Sequence, residues 1–404
     1  MDVDEFAHVV SIGLGRAVLQ LQTHNPAPYR EALLDACLHD TRYDVQVGSS
    51  REKYLFELIN LTGEPAYYRD HLLRAFFRTR DDEDYGQIAS ILAVFAEKGD
   101  VAARQCLYDA FVATAAWDTS CLAMLIVDLD GAAGLLFVAE RFPIETSVSY
   151  AFPEDLVRRA SERDGSEVIE RSLAEAAKQS PRIAAFLAEA KRSSVVPVAA
   201  FELTAEQDQA PDYERVRQLL EGRAFDASAS LSRWGLRATE TEIERAAADL
   251  LAESDVARLR AYLRLFHRRR FPLDPAPLLQ LAEIDEDSST AHLALHALRS
   301  VADPRVRTLA LKLMASGDGR GAGLLAANYV EGDYQRIEQA LLSLPDYDNI
   351  HALGFGLLAL ADAHPSEHAL PALLAFYERG PCDLCRKNAI ERPDVSATTH
   401  LARH

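Results

Sequence analysis

The chain has 404 residues, 49% of them hydrophobic, and a formal net charge of −19 from 62 acidic against 43 basic residues. That length and apolar content can bury a large core and exclude wholesale disorder, while the charge repels polyanions from most of the surface and makes nucleic acid an unfavoured partner. Five scattered cysteines, an odd number, exclude an extracellular disulfide framework and point to a reducing cytoplasm.

The opening Met1-Asp2-Val3-Asp4-Glu5 lacks the basic start and apolar core of a signal peptide, so export is not expected. Helical periodicity then runs through residues 4–21, 29–38, 51–61, 67–78, 85–98, 101–115, 153–162, 168–178 and 183–191, and strand patterns are nearly absent. Gly13-Leu14-Gly15-Arg16 lies inside the first of these patterns, with no preceding strand and no third glycine, and is expected to serve close helix packing, not a nucleotide. His24, Arg30, Asp35, His39, Asp40, Asp44 and Arg51, interleaved with Tyr29, Tyr43 and Tyr54, combine groups suited to acid–base or metal chemistry. Their place around an inter-helix loop makes them equally suited to capping and turning the chain.

Residues 121–139 are the most apolar stretch. Asp128 and Asp130 interrupt it, and each would cost about 2.5–3.5 kcal/mol in a bilayer, so the stretch reads as a buried helix and no membrane is expected. The helical rhythm breaks at residues 193–213, where Pro197 and the polar run Gln207-Asp208-Gln209-Ala210-Pro211 mark a linker or boundary, with 195–201 a short strand or an extended linker. The expected division is an irregular helical-repeat region over 1–192, that boundary over 193–213, regular helical repeats over 214–380 and a terminal cap over 381–404.

The densest basic run is Arg258 to Arg270, RLRAYLRLFHRRR. On a continuous helix, Arg260, Arg264, His267 and Arg268 fall on one side, opposite Val256, Leu259, Leu263 and Phe266. Such a stripe would take a phosphate or an acidic partner segment. Cations before the helix-ending Pro272 also complement a helix dipole, which is the purely structural account.

Between Ser288 and Gly380, loops at Ala302-Asp303-Pro304, Gly332-Asp333 and Asp362-Ala363-His364-Pro365 recur at intervals of roughly 30 residues, each joining two apolar helical stretches. Ala294, Ala297, Leu298 and Val301 make one helical face; Val306, Leu309, Ala310 and Leu313 make the next, with Asp303 as N-cap and Pro304 in the first turn. A second unit spans residues 324–344, with Tyr334, Ile337, Leu341 and Leu344 facing inward. A third has helices over 351–361 and from near Pro371, with Leu370, Leu373, Leu374 and Tyr377 inward and a stop at Gly380-Pro381. The Asp303-Pro304-Arg305-Val306-Arg307 run, between alanine- and leucine-rich helices, resembles the inter-helix turn of HEAT repeats. That resemblance implies an all-α fold, an α-solenoid of stacked antiparallel helix pairs.

Cys382-Asp383-Leu384-Cys385, followed by His400 and His404, has the C-x2-C and H-x3-H spacings of zinc sites, although Pro393 interrupts any helix carrying the histidines. A Cys-x-x-Cys pair at a helix N-terminus also suits redox chemistry, and packing of the last repeat is the third reading. No Gly-x-Ser-x-Gly elbow, P-loop or His-Glu-x-x-His segment is present. The leading expectation is a non-enzymatic scaffold or adaptor that offers a concave repeat surface to a protein or peptide, one with a basic segment matching the acidic charge. The alternatives are an enzyme resembling HEAT-like alkylpurine DNA glycosylases, supported by Trp117, Trp234 and the basic run, and a zinc- or redox-responsive binding protein.

Overall fold

The computed structural model describes residues 1–43, 50–113, 119–141, 153–193, 212–221, 228–283 and 289–391. Asp44, Trp117, Asp118, the 195–201 segment, His400 and His404 lie outside these residues. The described residues are all helical, with no strand among them. The chain divides into two compact units, Met1–Val198 and Ala199–His404.

The first unit contains α1 (Val3–Ser11), α2 (Arg16–Thr23), α3 (Arg30–Leu38), α4 (Arg51–Leu61), α5 (Pro65–Phe76), α6 (Asp82–Glu97), α7 (Val101–Ala113), α8 (Thr119–Ala139), α9 (Pro153–Asp164), α10 (Ser166–Ala177) and α11 (Pro181–Ser193). Helices pack on their next-but-one neighbours, α1 on α3, α2 on α4, α4 on α6 and α6 on α8. The expected continuous helix over 4–21 is broken, because Gly13 takes a φ of 75° that ends α1. A Cβ on Gly15 would meet nothing within 4 Å, so its glycine does not serve close packing.

By length and composition Cys121–Ala139 is apolar enough to cross a membrane. It is interrupted at Gly131 (φ 54°), where Asp164 caps the continuing half by accepting from the Ala132 N–H at 2.7 Å. Its acidic groups have partners in the same unit: Asp128 pairs with Arg159 at 2.8 Å, and Asp130 with Arg104 and the Tyr108 hydroxyl.

Several groups of the polar cluster near the N-terminus make structural contacts. Arg51 is buried and donates to Gln87 Oε1 at 2.7 Å and to the Val10 and Ser11 carbonyls, tying α4 to α6 and to the end of α1. Burial alone would raise the Asp40 carboxyl, but hydrogen bonds from Arg42, with the charges of Arg42 and Arg51, hold it below its ordinary range. His39 bonds Asp84 at 2.9 Å. These contacts tie Arg51, Asp40 and His39 to neighbouring helices, while His24 and Asp35 stay exposed.

The second unit contains α12 (Tyr213–Glu221), α13 (Ser228–Arg237), α14 (Glu240–Ala252), α15 (Val256–Leu265), α16 (Ala276–Glu283), α17 (Ser289–Leu298), α18 (Pro304–Ala315), α19 (Asp333–Ser343), α20 (Tyr347–Ala363), α21 (Leu370–Arg379) and α22 (Asp383–Ile390). Asp303 caps α18 by accepting from the Arg305 N–H at 2.8 Å, as its position before Pro304 implies. The apolar faces expected of α17, α18 and α19 are buried. In α21 the buried face is Ala372, Leu373 and Phe376, rotated from the expected one, and Leu374 and Tyr377 are half-buried.

One expected α-helix is absent. The stretch before α19 forms two short 3-10 segments, Gly319–Leu324 and Ala326–Asn328. Glycines at 319, 321 and 323 disfavour an α-helix and let backbones touch: a Cβ on Gly321 would press on the Ala310 carbonyl, and one on Gly356 of α20 would overlap Ala322.

Candidate metal centre

The last two turns of the second unit bring three soft donors together. Asp346 caps α20 by accepting from the Asn349 N–H at 2.8 Å, which fixes the first turn of that helix, and His351 follows directly after it. One turn further, Gly354 lies beneath Phe376 of α21, and any Cβ there would overlap the ring. This close approach draws α21 and the segment after it against the start of α20. The chain then turns at Gly380, whose carbonyl accepts from Arg386 Nη1 at 2.8 Å, while Arg386 also pairs with Asp383. Arg386 is itself buried, so it holds the turn that carries Cys382 and Cys385 at the start of α22.

The ligand atoms of His351, Cys382 and Cys385 all lie within 4.8 Å of one another, and Cys385 Sγ is 3.3 Å from His351 Nε2. Zinc at its usual 2.3 Å from sulfur and 2.0–2.1 Å from nitrogen, in tetrahedral geometry, separates its donor atoms by about 3.5 Å. Both sulfurs are buried, at 5% and 3% residue exposure, and His351 is half-buried with its ring against Phe355 at 4.7 Å. Water is thus largely excluded from two donors and admitted near the third. Two thiolates would neutralise a divalent zinc ion, and the neutral imidazole adds a third ligand without further charge.

Burial pushes the Cys385 thiol up to about 12, a hydrogen bond and charge interaction with Cys382 add to the rise, and Arg386 opposes it. A thiol so raised is a poor nucleophile, whereas metal binding displaces its proton outright. The arrangement therefore suits a metal better than thiol exchange.

Cys382 and Cys385 are the two metal candidates legible from spacing; His400 and His404 lie outside the described residues. His351 entered the sequence reading only as the start of a helix. Nothing in linear spacing marks it, because it reaches the cysteines from the preceding hairpin.

The basic run does not form one helical stripe. The α15 helix ends at Leu265, with Phe266 as its C-cap, so His267 and Arg268 lie in the following turn. Arg260 is half-buried and donates through Nε to Thr290 Oγ1 at 2.9 Å; Arg264 is half-buried and Arg268 exposed. His267 stacks on His296 of α17 with ring centroids 4.3 Å apart. The sequence reading missed His292, His296 and Arg299, whose role appears only once α17 is set against α15.

No protein-family model matches the chain, and no curated protein or solved structure matches it.

Proposed function

We propose that the chain is a non-enzymatic, metal-binding helical-repeat protein of HEAT-like solenoid build. In this reading a zinc ion on His351, Cys382 and Cys385 fixes α22 to α20, and the stacked hairpins offer a concave repeat surface to a protein or peptide partner in the reducing cytoplasm. The convergence of three donors within 4.8 Å, from two different hairpins, carries the metal assignment. With three protein ligands, one coordination position is left for water or for a donor group from the partner.

Two observations support the adaptor part of the reading. Helices of the second unit contact their next-but-one neighbours, α13 with α15, α15 with α17, α19 with α21 and α20 with α22, as stacked hairpins do. The net charge of −19 favours a basic partner segment. The nucleic-acid enzyme has less behind it: Trp234 is buried against Tyr213 at 5.7 Å, out of reach of a base.

The test is elemental analysis of protein purified without chelator. About one zinc per chain is expected in the wild type, with loss of at least most of it in Cys382→Ser and in His351→Gln. Metal-free wild-type protein, or zinc content indifferent to both substitutions, would reject the assignment. The partner reading is tested separately by chemical cross-linking at low ionic strength, where recovery of the chain alone would reject it.

A further inference from the structure

A second constellation in the same unit has the opposite electrostatics. His267 stacks on His296, and His296 Nε2 lies 3.1 Å from His292 Nε2, one helical turn away on α17. His296 Nδ1 is sealed from solvent with no hydrogen-bond partner among the described residues. A buried nitrogen without an acceptor is best left unprotonated, which places the His296 proton on Nε2, where it is donated to His292 Nε2. The proton of His292 must then sit on Nδ1, and His292 is exposed, so that N–H is directed away from the pair as an available donor.

The surrounding charges are cationic. Arg268 and Arg299 bear on His267, and Arg299 and Arg320 on His292; Asp318 is the carboxylate that faces His292. Asp318 is already held by Arg320, with N–O distances of 2.6–3.0 Å. Arg299 is half-buried and makes no side-chain hydrogen bond or ion pair with any described residue. Its Nε would lie 3.0 Å from a Cβ on Gly323, so a glycine there gives the guanidinium its room. Burial lowers all three imidazoles and Arg299 from their ordinary values, and the neighbouring guanidinium charges lower the imidazoles further, taking His296 to about 3.

Two histidines one turn apart can clamp a divalent cation, but three guanidinium groups around these oppose one. We infer that this cluster binds a phosphate dianion, with Arg299 and Arg268 supplying the charge and the ring N–H of His292 supplying a directed hydrogen bond. A dianion satisfies several diverging donors at once, where a carboxylate would leave some unmet. The phosphate is either free or carried on a phosphorylated side chain; the chemistry recognised is the same. The site shares no residue with the metal centre.

Calorimetric titration of the full chain with inorganic phosphate, sulfate and a phosphoserine flanked by glycines tests the assignment. Saturable binding is expected, and for sulfate, whose charge is constant across the range, it should tighten about 5-fold or more from pH 8 to pH 6. The sign follows from linkage: an anion raises the lowered histidines, so binding takes up protons and strengthens as pH falls. Arg299→Gln and Gly323→Ala, the second keeping every charge, should each weaken binding about 10-fold while circular dichroism shows the fold retained. Lys312→Gln, which removes a cation paired with Glu283, should leave it unchanged. Tighter binding of the phosphoserine peptide assigns the phosphate to a side chain, and equal binding to a free source. Absence of saturable binding, indifference to both Arg299→Gln and Gly323→Ala, or zinc capture abolished by His292→Gln would overturn the inference.

Discussion

Arg307 and Asp333 form a two-pronged ion pair, with Nη1 to Oδ2 and Nη2 to Oδ1 both at 2.7 Å, and Asp333 has no exposed surface. The arginine ends the Asp303-Pro304-Arg305-Val306-Arg307 run, and the aspartate opens α19. The pair thus crosses from one hairpin to the turn of the next. Asp333 Oδ2 also accepts from the Val330 N–H at 2.8 Å, and Arg307 donates to the Asn328 carbonyl at 2.7 Å, so both charges are embedded in backbone hydrogen bonds.

Removal of one partner leaves the other charged and poorly solvated. Arg307→Ala is expected to cost about 3 kcal/mol of unfolding free energy in chemical denaturation, because Asp333 is sealed. The Arg307→Ala/Asp333→Ala double variant should lose clearly less than the sum of the single losses. Additive losses would show that the pair is not coupled.

Gly354 should tolerate no side chain. Gly354→Val drives a branched group into the Phe376 ring and is expected to cost about 1–3 kcal/mol, with zinc content falling alongside because His351 is displaced from the cysteines. Gly354→Ala combined with Phe376→Leu should recover part of both. A thermal melt and an elemental assay read the two effects on the same samples.

Zinc affinity should fall as pH falls. The Cys385 thiol, at about 12 without metal, is protonated throughout the neutral range, so each thiolate formed at the ion releases a proton. Affinity is then expected to drop about 10-fold per released proton for each unit of decreasing pH. Competition with a chromophoric chelator at several pH values measures the slope. A flat profile would place the metal on other ligands.

Glu253 should contribute to the acid limb of stability. Hydrogen bonds from Arg258 and from the Asp255 N–H outweigh burial and hold its carboxyl down to about 2. A carboxyl lowered on folding stabilises above its unfolded value and loses that contribution as pH falls through the folded one, here from about 4.5 towards 2. Glu253→Gln should therefore flatten the decline in melting temperature between pH 5 and pH 3. An unchanged decline would show that Arg258 does not stabilise the folded state through this contact.

The all-helical class was legible because apolar periodicity and caps are local signals. Thr239 and Glu242 form a capping box before α14, and Asp303-Pro304 starts α18, each readable over a few residues. The helix expected from Leu324 to the Gly332-Asp333 turn, where apolar content fits one, is instead a short 3-10 segment, Ala326–Asn328, because the close backbone contacts of the glycines just before it depend on helices distant in sequence. The candidate sites were half legible for the same reason. Cys382 and Cys385 are neighbours in the chain, and His267 and Arg268 stand out by charge. His351, His296 and Arg299 acquire meaning only when packing places them, and α15 ending at Leu265 cannot be inferred from a run that holds no glycine or proline.

The His351–Cys382–Cys385 cluster also bears on mechanical strength. Without an ion, α22 is a short helix held by packing, and a pull on the chain after it would peel it away turn by turn. An ion coordinated from both sides would pass that force directly into α20 at His351, bypassing α21. That short helix would become an anchorage, and loss of the metal would release it.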